Sequence, residues 1–250
     1  MSGALRAAYA AVERDTKDLV DAALVANGVP ASPAEAYALA ETMVDWINEQ
    51  RQMQWALQAD TIRHTTPGMK VAPPREYKTE YLVKQIMRSA GLTPEGDMTV
   101  PLEMFDAATQ ATVTRRVAPF AAPDAEDMRV AMTQRLSAGV ARHVKQAGRD
   151  AVVDSARLNR TRWARQMMGA ETCAFCAMLV SRGAVYAERT AHFRTHDYCD
   201  CTAVLVPNPS KWEGKDQADE FYELWKDAYN AADGAPLKEF RKRYRQMNGA

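Results

Sequence analysis

All four cysteines of this 250-residue chain fall between positions 173 and 201. They form two pairs, Cys173-Ala174-Phe175-Cys176 and Cys199-Asp200-Cys201. His196 stands three residues before the second pair, and residues 177–198 separate the two. Thiolate and imidazole are the donors a tetrahedral zinc ion takes, at about 2.3 Å for sulfur and about 2.0 Å for nitrogen. A C-x2-C turn presents two donors together. A second turn carrying His196, Cys199 and Cys201 presents the rest, so five donors compete for four places. The alternatives are buried or disulfide-bonded cysteines, or a redox C-x-x-C. The redox motif opens a helix after a strand and needs no second cluster.

A second chemistry to weigh is proteolysis, which requires a nucleophile, a base and an orienting group in one cleft. Ser181, His192, His196 and Asp197 lie in the same stretch, with Glu171 and Glu188 as the carboxylates a catalytic metal would need. Ser181 sits in the turn-like string SRG, where serine serves the backbone. No H-E-x-x-H occurs, and a metal closed by four protein ligands has no position for water. His64, at the start of a loop, and His143, on a basic helix face, lack metal-ligand spacing.

The elements that must position these residues read mostly as helix. Residues 3–27 carry apolar side chains along one face, and Asn27-Gly28 supplies a stop. Ser32, Pro33 and Glu35 form a helix start of capping-box type, with the helix running to about Ile62. Residues 64–75 are a loop, 79–89 a short helix ending at Gly91, and 101–116 a further helix. From Asp124 a long helical pattern continues to about Gln166 and is basic. Nine Arg and Lys lie between Met128 and Gln166, opposed only by Asp150 and Asp154. After Gly169 the periodicity changes, with short strands expected at 184–186 and 202–206. Two helices follow, 216–231, whose Phe221, Trp225 and Tyr229 read as a core stripe, and 236–247.

Composition sets the outer bounds. Hydrophobic residues make up 47% and charged residues 26%, an ordinary globular mix, and formal net charge is zero. Bulk charge therefore does not hold a polyanion, and any nucleic-acid contact must use a local patch. No apolar run reaches the roughly 18 residues of a membrane span, so no membrane partner is expected. The N-terminus lacks a secretory pattern, so the protein is expected inside a cell, where clustered thiols favour metal over disulfide.

The string WARQMMGAETCAFCAMLVSRGAVYAERTAHFRTHDYCDCTAVLVP, from Trp163 to Pro207, carries a family resemblance. Its C-x2-C, its turn at Gly183 and its H-x2-C-x-C before a β-run resemble the MuF-like minor head proteins of tailed phages, in the form found in actinobacterial phages. The matching positions are Cys173, Cys176, Gly183, His196, Cys199 and Cys201. Where the family has Pro and Asn after the histidine and Arg inside the C-x-C, this chain has Asp197, Tyr198 and Asp200, so the knuckle loses basic character.

The resemblance implies a head-morphogenesis protein in the virion, at the inner capsid or portal vertex, with the host cytoplasm as its place during assembly. It implies contact with the portal protein or the major capsid protein, and it leaves capsid maturation protease as the alternative, since relatives are often so described. The expected architecture is mostly α with a small zinc-stapled α+β unit. A helical N-terminal region spans residues 1–122. A MuF-like domain spans 123–250, with the basic helix, the knuckle at 170–206 and C-terminal helices. Arg157, Arg160, Arg162 and Arg165 on the basic helix, and Lys238, Arg241, Lys242, Arg243 and Arg245 on the last helix, are the expected contacts to packaged DNA or a protein partner.

Overall fold

The computed structural model describes residues 3–92, 100–106, 111–117, 125–168, 173–186, 193, 195–232 and 234–248. Seven helices and four strands are assigned among these. Helix α1 (Gly3–Asn27) buries Leu5, Tyr9, Val12, Val20 and Leu24, the face its periodicity marks. Helix α2 (Pro33–Thr65) begins where the capping residues stand. Ser32 Oγ accepts from the Glu35 backbone N–H at 3.3 Å, and the Glu35 carboxylate accepts from Ala31 N–H at 2.8 Å. This helix takes in His64, expected in a loop; its Nδ1 lies 2.7 Å from the Asp60 carbonyl oxygen one turn back. Helix α3 (Thr79–Ala90) ends on Gly91, whose φ of 71° is the left-handed cap conformation that glycine adopts without strain.

Two expectations fail between α3 and the site. Residues 101–116 were expected to be helical, but strands β1 (Val100–Asp106) and β2 (Ala111–Val117) pair there as an antiparallel hairpin, Val100 opposite Val117 and Asp106 opposite Ala111. Thr112, Val113, Thr114 and Val117 are β-branched and lose rotamer freedom in a helix, which favours the strand. The helix from Asp124 was expected to reach Gln166. Instead α4 (Ala125–Leu158) stops eight residues earlier, and β3 (Arg162–Gln166) follows.

The stop is a Schellman-type turn. Thr161 N–H donates to the Ala156 carbonyl at 2.9 Å, and Arg160 N–H to that of Arg157 at 3.2 Å, with Arg160 at φ 50°. An arginine occupies the position usually held by glycine, and Asn159 fixes the corner. Its side chain accepts from Lys70 N–H at 2.9 Å and donates to the Lys70 carbonyl at 2.7 Å.

Strand β3 pairs antiparallel with β4 (Thr202–Val206), Arg162 opposite Val206 and Gln166 opposite Thr202. The expected strand at 184–186 is reduced to one bridge, Tyr186 to Trp163. Helix α5 (Ala174–Val180) stands where only a turn was expected, and α6 (Lys215–Ala231) and α7 (Pro236–Met247) follow. In α6 the core face is Ala218, Phe221 and Ala228, with Trp225 half-buried against it. Tyr229 is 63% exposed, which removes it from the expected stripe.

The chain divides into two compact units. One comprises Ala11–Gln50 and Glu76–Ala141. Its interior holds Leu39, Met43, Leu82, Ile86, Met132 and Leu136, and Asp21 accepts from Arg129 and from Thr133 Oγ1. A Cβ at Gly139 would fall 2.1 Å from the Gln85 side-chain nitrogen, so any other residue there makes Gln85 shift.

The other unit comprises Met1–Ala10, Arg51–Arg75 and Arg142–Ala250, and it contains every cysteine. Its core gathers Val152, Trp163, Ala177, Val180, Phe193, Leu205, Phe221 and Phe240 around the buried thiols. Trp163 stacks on Tyr186 with ring centroids 4.3 Å apart and lies 5.4 Å from Phe193.

Candidate metal centre

Cys173 is the N-cap of α5. Its sulfur accepts from the Cys176 backbone N–H at 3.3 Å, so the short helix holds both thiols of the C-x2-C on one side. The second set arrives on the turn before β4. That turn reverses at Tyr198, whose φ of 61° is left-handed. It presents His196, Cys199 and Cys201 to the first pair.

Nε2 of His196 lies 3.2 Å from Cys173 Sγ and 3.2 Å from Cys176 Sγ, and Cys176 Sγ lies 3.7 Å from Cys199 Sγ. Ligands at tetrahedral angles around zinc stand about 3.8 Å apart for a sulfur pair and about 3.5 Å for sulfur and nitrogen, from the bond lengths alone. The spacings match that edge length to within a few tenths of an ångström.

Two overlapping groups could each hold a metal ion: Cys173, Cys176 and His196, and Cys176, Cys199 and Cys201. Cys176 belongs to both. The donor set is soft and nitrogen-containing, which suits zinc. The ring of His196 is oriented as a ligand's would be, with Nε2 free to bind once a metal displaces its proton. Its Nδ1 faces the Asp197 carbonyl at 2.6 Å, and an Nδ1–H donated there fixes the ring with Nε2 towards the thiols.

All four cysteines are free; Cys176, Cys199 and Cys201 are buried and Cys173 is exposed. Protons are shared unequally among them. Cys173 is drawn down to about 4, first by its hydrogen bond with Cys176 and also by that with His196. Hydrogen bonds with Cys176 and Cys201, aided by the Arg149 guanidinium, hold Cys199 well below the usual thiol range. Cys176 is pushed far up by its contacts with Cys173, Cys199 and Cys201. His196 is raised to about 9, first by its hydrogen bond with Cys173. The cluster therefore already favours thiolate at Cys173 and Cys199, the form that binds metal.

Helix α4 grips this turn from behind. Arg142 Nε donates to Asp197 Oδ1 at 2.8 Å, and Lys145 Nζ to Asp200 Oδ1 at 2.8 Å. Arg149 donates from Nε to the Cys201 carbonyl at 2.9 Å and from Nη2 to the Cys199 carbonyl at 2.6 Å. These cations sit at i, i+3 and i+7, one face of a helix. Lys145 is 2% exposed and Arg149 0%. Arg165, expected as a surface contact, is 4% exposed, with its guanidinium 3.9 Å from the Phe193 ring centroid. Arg157 is half-buried and paired with Asp154 at 2.9 Å, whereas Arg160 and Arg162 are exposed.

His143, expected on the basic face, is held neutral. Burial, Arg142 and Arg51 lower it to about 3. On α7, Lys238, Arg241, Lys242 and Arg245 are exposed, while Arg243 is half-buried against Glu239 at 2.8 Å.

The clamp on the turn was missed from the sequence. Its signal is the pairing of the spacing 142, 145, 149 with Asp197 and Asp200, the two aspartates of the second turn. A cavity of about 210 Å³ opens beside the cluster, lined by Arg165, Phe175, Leu179, Thr195 and the donors Cys176, His196 and Cys199. Ser181 is buried and its Oγ donates to the Met178 carbonyl at 2.7 Å, a helix-end contact. Glu171, Glu188 and His192 lie outside the described residues.

Residues 2–228 match the protein family described as VG15 protein. The Gene 15 protein of Mycobacterium phage D29 is 28% identical, the match covering 39% of this chain and 49% of that protein. The Gene 15 protein of Mycobacterium phage L5 is 28% identical over 40% of this chain and 49% of its own length. The chain thus spans about half the length of these curated relatives. No solved structure matches it. Among the described residues, no helix is long and apolar enough to cross a membrane.

Proposed function

Because the chain belongs to the VG15 protein family, with relatives among mycobacteriophage proteins, we propose that it is a structural minor head protein of a tailed phage, MuF-like in its C-terminal half. In this reading a zinc ion is held by Cys176 together with His196, Cys199 and a further thiol, Cys173 or Cys201. The observation that carries it is the convergence of three thiols and one imidazole on Cys176, with His196, Cys199 and Cys201 among them arriving on a turn that α4 locks in place.

Zinc there would tie α5 to the turn before β4, a cross-link between segments that the chain joins only through residues 181–198. With three thiolates and one imidazole the centre carries a net charge of about −1. The buried Arg149, hydrogen-bonded to the carbonyls of two donor residues, offsets that charge. An engaged donor set of this kind supports a structural metal over one that activates water. The internal hydrogen bond of Ser181 supports the same choice over capsid maturation protease.

The role calls for the portal protein and the major capsid protein as partners and for a place in the virion. On the segment after α4, Arg160 and Arg162 are the cations left at the surface for packaged DNA. Two measurements test the reading. Reduced protein should carry about one zinc per chain by elemental analysis. Quantitative mass spectrometry of purified virions should find the chain in a fixed low ratio to portal subunits. A metal-free but folded protein defeats the zinc assignment, and its absence from virions defeats the structural one.

A further inference from the structure

The four thiols differ in what can reach them. Cys176, Cys199 and Cys201 are 2%, 4% and 0% exposed, whereas Cys173 lies at the surface. An oxidant arriving from solvent meets Cys173 first. Behind it the sulfurs form a chain of contacts. Cys173 shares one group of converging donors with Cys176, and Cys176 shares the other with Cys199 and Cys201; within each group the ligand atoms lie within 4.8 Å of one another. Cys176 Sγ is 3.7 Å from Cys199 Sγ, and all four thiols are free. Five donors for four places also leave one thiol that a tetrahedral metal does not need.

We propose that Cys173 is an oxidant-reactive site, through which a peroxide exchanges the metal staple for a disulfide between Cys176 and Cys199. The metal half of this exchange rests on the reading of the cluster as a zinc centre. In the first step the Cys173 thiolate attacks one oxygen of hydrogen peroxide. An S–O bond forms, the O–O bond breaks and hydroxide leaves; the sulfur is oxidised to a sulfenic acid and the peroxide is reduced. The Cys176 thiolate then attacks the Cys173 sulfur, forming an S–S bond and expelling the sulfenic oxygen as a second hydroxide. Finally the Cys199 thiolate attacks the Cys176 sulfur across their 3.7 Å contact, and Cys173 leaves as thiolate. Two thiolates and one peroxide give one disulfide and two hydroxides, which take two protons from solvent to become water. Two metal-binding thiolates are consumed, so the ion is released.

Packing selects the end product. Cys176 and Cys199 both belong to the core around Trp163 and Phe193, and Arg149 holds the Cys199 carbonyl there. Joining them cross-links α5 to the turn before β4, the same two segments that zinc would tie. The staple thus persists in a reducing compartment as metal and in an oxidising one as a covalent bond.

The test treats the reduced, full-length chain, freed of reductant, with about a tenfold molar excess of hydrogen peroxide. Zinc release is followed with a chromophoric chelator, and the thiols by mass spectrometry of unreduced tryptic peptides. Trypsin leaves Cys173 and Cys176 together on residues 166–182, and Cys199 and Cys201 together on residues 195–211. Early trapping with dimedone should label Cys173 alone. The final product should join the two peptides, with fragmentation placing the bond between Cys176 and Cys199, and dithiothreitol should restore all four thiols. Cys173→Ser, shown to be folded by circular dichroism, should form that bond at least about tenfold more slowly, since the remaining thiols are buried. A slowing of less than about twofold overturns the proposal. So does first labelling of a buried cysteine, a final disulfide confined to residues 166–182, or four free thiols after treatment. Zinc present and retained with its thiols free defeats the exchange and leaves the metal reading intact. A zinc-free chain that still forms the Cys176–Cys199 bond through Cys173 upholds the reactive site and defeats the metal reading.

Discussion

Replacing Arg149 with methionine separates the clamp on the metal turn from the donors themselves. The side chain is 0% exposed and makes hydrogen bonds of 2.9 and 2.6 Å to the carbonyls of Cys201 and Cys199. A hydrogen bond from a charged donor contributes about 1.5–3 kcal/mol, so roughly 3–6 kcal/mol is lost with the guanidinium. Against this, methionine spares the desolvation of a buried cation, and Nη1 of Arg149 has no protein partner to reward its burial. The net expectation is a loss of about 2–3 kcal/mol, which in a chain of this size lowers Tm by roughly 4–12 °C. Metal affinity should fall about 10- to 100-fold, the usual cost of removing a group that orients ligands. Calorimetry reads the first, and competition with a chromophoric chelator reads the second. Lys145→Met, which removes one ion pair to the same turn, is the comparison and should cost less on both. A Tm unchanged or raised in Arg149→Met, with chelator competition within twofold of wild type, refutes the clamp.

Other outcomes follow from the same geometry. Cys176→Ser removes the donor common to both groups and should leave less than about a tenth of the wild-type zinc, whereas Cys173→Ser and Cys201→Ser should differ, the milder one identifying the fifth donor; equal zinc retention in all three would refute this. His143 is lowered to about 3 when folded, against about 6.5 unfolded, so the unfolded chain binds the extra proton and stability falls as pH drops from about 6.5 towards 3. Between pH 7.5 and 5 this amounts to about 2 kcal/mol, and denaturant titration of His143→Gln should show that much less acid sensitivity than wild type. Gly139→Leu should destabilise by about 1–3 kcal/mol, because its side chain meets Gln85 where even a Cβ falls at 2.1 Å; an unchanged denaturation midpoint would mean that Gln85 moves aside freely.

The donors were legible because metal coordination restricts residue type and spacing together. Two close pairs of cysteine with one histidine leave few alternatives, and the structure brings all five together. The helices were legible where caps are explicit, at Ser32-Pro33-Ala34-Glu35 and at Gly91. The end of α4 was not, because Arg160 takes a left-handed conformation that sequence rules reserve for glycine or asparagine. The 100–117 hairpin was misread because alternation over seven residues competes with a helical pattern of similar length. Tyr229 was misread because spacings of four drift around a helix: 221, 225 and 229 rotate off a face that 218, 221, 225 and 228 follow.

The larger reversal concerns what the cations of α4 are for. Counted along the sequence, nine basic residues against two acidic ones read as a contact face for packaged DNA or a protein partner. In the fold, Lys145, Arg149 and Arg165 are buried, and Arg142 is paired with Asp197. The two aspartates of the cysteine-rich turn are the partners of α4: Asp197 takes Arg142 and Asp200 takes Lys145. A knuckle with arginine in place of Asp200 would set a second cation beside Lys145, a side chain only 2% exposed. The acidic knuckle and the basic helix are therefore one device, in which helix charge is spent holding a cysteine-rich turn.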